Sequence, residues 1–330
     1  MAVGRAGKVM RASVSAFFDG YHRFSSVAAM LALPFSAAVL ASEAAAPSSS
    51  ALRAVAARLR AVFAAAGFPP SAFFALLEAK LAQTETVVTF AFALPSALTF
   101  LLLAKATVAA MLRDDDDDAS SPAQATARWR RKLALAALPS CGAVARAYPA
   151  LVATHLLNAF LMLSVNAAVF SLLLLAFGAA DLLGAGATSG FWNAATYSLA
   201  VGVATVVCNL AVVVAAMERG RAGHGAVLRA CVLVRGRVST ALAVALPTNL
   251  CVAAAEALFQ LRVVAARRRS AAAGSWLAPG VAGEAFSIAY IHALCVVLEI
   301  IVSCMFYRGC RKRDADEIRE LEPEKGEFQA

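Results

Sequence analysis

Six stretches of the chain stay apolar and nearly uncharged for the roughly 20 residues that a helix needs to cross a bilayer core of about 30 Å. They run approximately over Ser25–Ser42, Thr86–Leu112, Ala150–Phe177, Asn193–Met217, Val238–Phe259 and Ala285–Tyr307. The first is the shortest and is interrupted by Pro34. The pattern predicts an all-α, polytopic bundle of six transmembrane helices, with a basic arm over residues 1–24 and a charged tail over 308–330.

The segments between spans carry patterns of their own. Leu52, Val55, Ala56, Leu59, Val62, Phe63 and Ala66 recur at helical spacing with Arg53, Arg58 and Arg60 on the flanks, which predicts an interfacial helix with snorkelling cations. Pro69-Pro70 ends it, and Ser71–Leu81 forms a second amphipathic piece. The pair is either a hairpin dipping into the membrane or two surface helices packed on the bundle. The acidic run Asp114–Asp118 lacks the alternating spacing and Gly turn of a calcium loop and is expected to be a solvated linker. Arg128, Arg130, Arg131 and Lys132, with Trp129, then return the chain to the headgroups. Short amphipathic helices are expected before the third and fifth spans. The tail begins basic, carries seven acids after Arg313, and is expected to be disordered or a frayed helix.

Composition agrees with the pattern. At 61% hydrophobic, 15% charged and a mean hydropathy of +0.72, the 330-residue chain is neither a soluble domain nor disordered. The net charge of +9 does not point to nucleic acid, because the basic residues flank apolar spans. The N-terminal arm, the loops after spans two and four and the tail hold 21 of the 30 Lys and Arg, which places both termini in the cytoplasm. Arg267-Arg268-Arg269 opposes that rule, since it falls on the outer side. The first span reads as an uncleaved signal anchor, with a cleaved signal peptide and a chloroplast transit peptide as the other readings of residues 1–42. The membrane is accordingly expected to be endomembrane or plasma membrane, or alternatively chloroplast membrane.

Seven cysteines are present and none lies in an expected outer loop, so no disulfide framework is expected. Cys304 and Cys310, beside Arg308 and Arg311, are either acylation sites or ordinary small apolar residues. No glycosylation sequon, Walker loop, His-Glu-x-x-His, Gly-x-Ser-x-Gly or dinucleotide fingerprint occurs, so no enzymatic activity and no cofactor are expected.

From Val212 to Pro247 a span ends in an acid, a Gly-containing turn follows, then a short basic helix, Gly-Arg and a new span. This order, carried by Glu218, Gly225, Ala226, Arg229, Arg235, Gly236 and Arg237, resembles a family of uncharacterised plant six-span transmembrane proteins. It is more loosely similar to the membrane domain of bacterial glycerophosphodiester phosphodiesterases. Leu33-Pro34-Phe35-Ser36 and Met305-Phe306-Tyr307 add weaker likeness. The acidic run, the outer Arg triplet and the Ala-rich composition depart from it. The resemblance implies architecture and no activity.

Polar residues at hydrocarbon depth are costly and mark candidate sites. His155, Asn158 and Asn166 line one side of the third span, Asn249 and Glu256 the fifth, and His292 and Glu299 the sixth, with Cys295 and Ser303 nearby. Either these stripes converge on a proton-coupled pathway, or each is a set of interhelical packing contacts, with Glu256 hydrated at the boundary. His292, Cys295 and Glu299 are also a weak metal set. Arg229, Arg235 and Arg237 are expected at the cytoplasmic leaflet, contacting anionic lipid or only fixing topology. The function expected is helix packing, lipid contact or partner recruitment without chemistry; the alternative is a small-solute or ion transporter.

Overall fold

The computed structural model describes residues 2–45, 98–113, 141–182, 189–218, 220–272 and 279–327. Within them the chain is helical apart from short turns, with no strand. It opens with α1 (Ala2–Asp19), followed by α2 (Tyr21–Val27), which passes through a π-helical turn at Ala28–Ala32 into α3 (Leu33–Ala45). After these come α4 (98–113), α5 (Cys141–Leu182), α6 (Ser189–Met217), α7 (His224–Val234) and α8 (Val238–Phe259). A second π-turn at Gln260–Val264 joins α8 to α9 (Ala265–Ala272), and α10 (Pro279–Glu327) completes the bundle.

Among the described residues, five stretches are long and apolar enough to cross a membrane: Tyr21–Ser42, Val144–Leu173, Thr196–Met217, Val238–Arg267 and Gly280–Asp314. They correspond to the first, third, fourth, fifth and sixth expected spans. The second is represented by α4, which covers its C-terminal part. The protein is therefore an all-α membrane bundle. The interfacial helix pair at 52–81, the acidic run and the basic cluster at 128–132 lie outside the described residues.

Contacts fix how the spans run. Asn158 and Asn166 on α5 meet Cys208 and Tyr197 on α6, so these two helices are antiparallel. Glu256 and Arg237 on α8 meet His292 and Asp314 on α10, so that pair is antiparallel as well. Asn209 and Glu218 meet Glu299 and Tyr307, which makes α6 and α10 parallel. The central core gathers around α10, where Ala293, Val297, Ile301, Cys304 and Tyr307 are inaccessible, together with Val108, Val214 and Leu233. By contrast α5 packs mainly on α6 and leaves Leu156, Phe160, Leu163, Leu172 and Leu175 exposed, as a lipid-facing helix must.

One expectation changes and two segments gain a form. The N-terminal arm is an amphipathic helix: Ala6, Val9, Met10, Ser13 and Phe17 turn inward as α1 packs on α8 and α10, while Arg5, Lys8 and Arg11 stay exposed. Gly20 joins α1 to α2, and a methyl group there would meet the Phe24 ring at 2.7 Å. The Arg267–Arg269 triplet is not in a loop but on the helix that continues the fifth span, because Gln260 to Ala272 contains neither Gly nor Pro to stop it. The tail, too, is helix as far as Glu327.

Candidate functional site

The polar groups of the membrane interior assemble around α10. Glu299 lies eight residues before Tyr307, about 12 Å along the helix. One of its oxygens, Oε1, accepts a hydrogen bond of 3.0 Å from the Asn209 amide on the parallel span α6. Both residues line a cavity of about 30 Å³ between α6, α8 and α10, along with Thr248, Asn249 and Ser303. That is room for a water, which occupies roughly 10–15 Å³ on this measure. Pro247, next to the lining residue Thr248 on α8, removes a backbone donor from the helix, and Thr248 Oγ1 donates to the Ala245 carbonyl at 2.9 Å. On the side of α4, the half-buried Lys105 acts through space on Glu299 and on His155 of α5.

The expected stripes separate. Glu299 and Asn249 line the cavity, whereas His155 of α5 lies within electrostatic range of Lys105 and is not part of the lining. The amides of the third span do not join them. Asn158 is buried and gives its Nδ2 to the Cys208 carbonyl at 2.7 Å, and Asn166 accepts the Tyr197 hydroxyl at 2.9 Å, so both are used in holding α5 to α6. Glu256 and His292 form a separate pair at 3.6 Å, with His292 Nδ1 also 2.9 Å from Ser36 on α3. The hydroxyls of Thr107, Ser164, Ser171 and Thr205 donate to the carbonyl four residues back on their own helix, which leaves them only as acceptors. No group of three or more His, Cys, Asp or Glu that could hold a metal occurs among the described residues.

A second polar centre closes one end of the bundle. Glu218, at the end of α6, receives the Tyr307 hydroxyl at 2.7 Å, Arg221 at 3.0 Å and Arg229 at 3.7 Å. Asp314 faces Arg229 at 3.8 Å and Arg237 at 3.1 Å, and Arg308 bonds the Leu112 carbonyl at the end of α4. The turns that bring these groups together use Gly220, Gly223 and Gly236 at φ of +86°, +58° and +74°. Burial lowers the proton affinity of the Arg237 guanidinium, but hydrogen bonds with Cys310 and Asp314 outweigh it and hold the group above its ordinary value. Of the three arginines expected to meet lipid, Arg229 and Arg237 are thus partly engaged with acids, whereas Arg235 is exposed. Cys304 and Cys310 are buried, at 0% and 1% exposure, which closes them to acylation in this arrangement; Cys231 on α7 is exposed.

Sequence reasoning missed Asn209, Tyr307 and Asp314 as members of these centres. Asn209 carried a readable signal, being an amide nine residues before Glu218, just as Glu299 stands eight before Tyr307. On parallel helices those spacings put both at one depth. Neither a curated protein nor a solved structure matches the chain. Residues 138–322, which span α5 to α10 and hold both polar centres save Lys105 and Leu112, match the family described as a domain of unknown function, DUF8558; they make up more than half of the chain, and the protein belongs to that family.

Proposed function

We propose that the protein has no chemistry of its own and works by lipid contact and partner recruitment at the basic end of its bundle. The observation that carries this reading is the surface of α7. Leu228 and Val232 are exposed there beside Arg229 and the exposed Arg235, an apolar strip edged by guanidinium groups. Such a helix suits the headgroup plane of an anionic leaflet, where each basic residue gains about 1 kcal/mol. Glu218 and Asp314 neutralise part of the charge, and Arg311, Lys312 and Arg313 on α10 restore the excess. The test is lipid retention by the purified full chain, extracted from membranes of mixed phosphatidylcholine and phosphatidylserine. The reading expects selective retention of phosphatidylserine, weakened roughly fivefold per charge removed in Arg235→Gln and Arg221→Gln. Equal retention of both lipids overturns it.

The same basic end supports cytoplasmic termini and an endomembrane or plasma-membrane location, with a chloroplast membrane as the alternative. The likeness to plant six-span proteins is carried on Glu218, Arg229, Arg235 and Arg237, which fall together in this region. A second reading, a small-solute or ion transporter, is favoured by the polar cavity beside Glu299. It expects uptake into proteoliposomes that is lost in Glu299→Gln.

A further inference from the structure

We propose that Glu299 is an intramembrane proton-binding site served by the polar cavity that it lines. This deepens the transport reading by naming the ligand. A carboxylate at hydrocarbon depth requires a compensating charge, a hydrogen-bond donor or a proton. Glu299 has a donor in Asn209, which holds Oε1 at 3.0 Å and makes the ionised form tenable. The cavity makes the protonated form reachable, since it has room for a water and presents Thr248, Asn249 and Ser303 to it. The step is simple: a hydronium delivered through the cavity gives its proton to Oε2, the oxygen that Asn209 leaves unbound, and remains as water.

Coordination and charge favour a proton over a metal cation. A metal cation needs a shell of oxygen ligands around it, whereas a proton adds to the carboxylate itself and leaves an uncharged acid suited to hydrocarbon depth. Among the described residues, the other titratable groups facing this region are Cys295, Cys304 and His292 on its own helix, Lys105 on α4 with His155 of α5 in its electrostatic range, and Glu256 on α8, which lies 3.6 Å from His292. The geometry also separates the site from ordinary packing contacts. Asn158 and Asn166 are joined directly to groups of α6 at 2.7 and 2.9 Å, while the Asn209–Glu299 bond forms a wall of a polar cavity.

The experiment uses the full chain in proteoliposomes and dicyclohexylcarbodiimide, an apolar reagent that enters membranes and modifies carboxyl groups in their protonated form. Mass spectrometry reads modification of the peptide containing Glu299 across a pH series, in sodium chloride and in choline chloride. Modification is expected to fall with rising pH along a one-proton curve and to be the same in both salts. Asn209→Leu and Asn209→Ala, each removing the donor to the ionised form, are expected to raise the fraction of Glu299 modified at a fixed pH several-fold. Glu299 left unmodified at every pH, modification independent of pH, or protection by sodium at fixed pH overturns the proposal. Should either variant fail to fold, the wild-type pH and salt series decides alone. Absence of solute uptake alongside an intact titration removes transport and leaves the proton site standing.

Discussion

Tyr307→Phe isolates one bond at the closed end of the bundle. The Tyr307 ring is inaccessible and its hydroxyl lies 2.7 Å from Glu218 Oε1, the separation of a charge-assisted O–H···O⁻ bond. Phenylalanine keeps the ring packing and deletes only the donor. A hydrogen bond to a charged acceptor contributes about 1.5–3 kcal/mol. Glu218 keeps Arg221 at 3.0 Å and is 19% exposed, so water and the guanidinium recover part of the loss. The expected destabilisation is therefore about 1–2 kcal/mol. The assay is reversible unfolding from mixed micelles with a denaturing detergent, applied to the wild type, Tyr307→Phe, Glu218→Gln and the double variant. A coupling of about 1 kcal/mol between the two sites is expected. Additivity within about 0.3 kcal/mol would refute the claim that this bond ties α6 to α10.

Other outcomes follow from the same geometry. Asn158→Leu removes the bond to the Cys208 carbonyl together with a buried Oδ1 that has no partner, so it is expected to cost less than about 1 kcal/mol in the same unfolding assay; a loss near 3 kcal/mol would contradict the pairing. Gly236→Ala forces a side chain into φ of +74° with open space around it and is expected to cost about 1 kcal/mol, whereas Gly225→Ala, inside α7 with no positive φ, is expected to be neutral or stabilising. In mild detergent a maleimide is expected to label Cys231 well before Cys304 or Cys310; equal rates would show that the packing around α10 is wrong.

The spans were legible because the bilayer imposes a length that few soluble segments satisfy, and Val238 to Phe259 or Ala285 to Tyr307 can hardly be read otherwise. What escaped were the continuations beyond them. Residues 308–327 are dense in Glu, Lys and Arg, a composition shared by solvated helices and disordered tails, and the sequence offers no sign that Asp314 is clamped by Arg229 and Arg237. The amphipathic period of α1 was present in Ala6, Val9, Met10, Ser13 and Phe17, but Gly4 and Gly7 weakened it. For the candidate site, spacing identifies a face and not the neighbour it meets. Asn158 and Glu299 looked alike as intramembrane polar residues, and only packing assigned one to a buried carbonyl and the other to a cavity.

The length of α10 has a mechanical consequence. At 49 residues it measures about 73 Å, more than twice the hydrocarbon thickness. From Asp314 to Glu327 roughly 20 Å of it continues past the bundle's charged end, a lever arm whose fulcrum is the clamp of Arg229 and Arg237 on Asp314. A tilt of about 10° at the membrane would swing the far end through about 3.5 Å on a straight helix of that rise. A small rearrangement among the spans is thereby carried beyond the charged end, and a load on the tail is returned to the helix that carries Glu299.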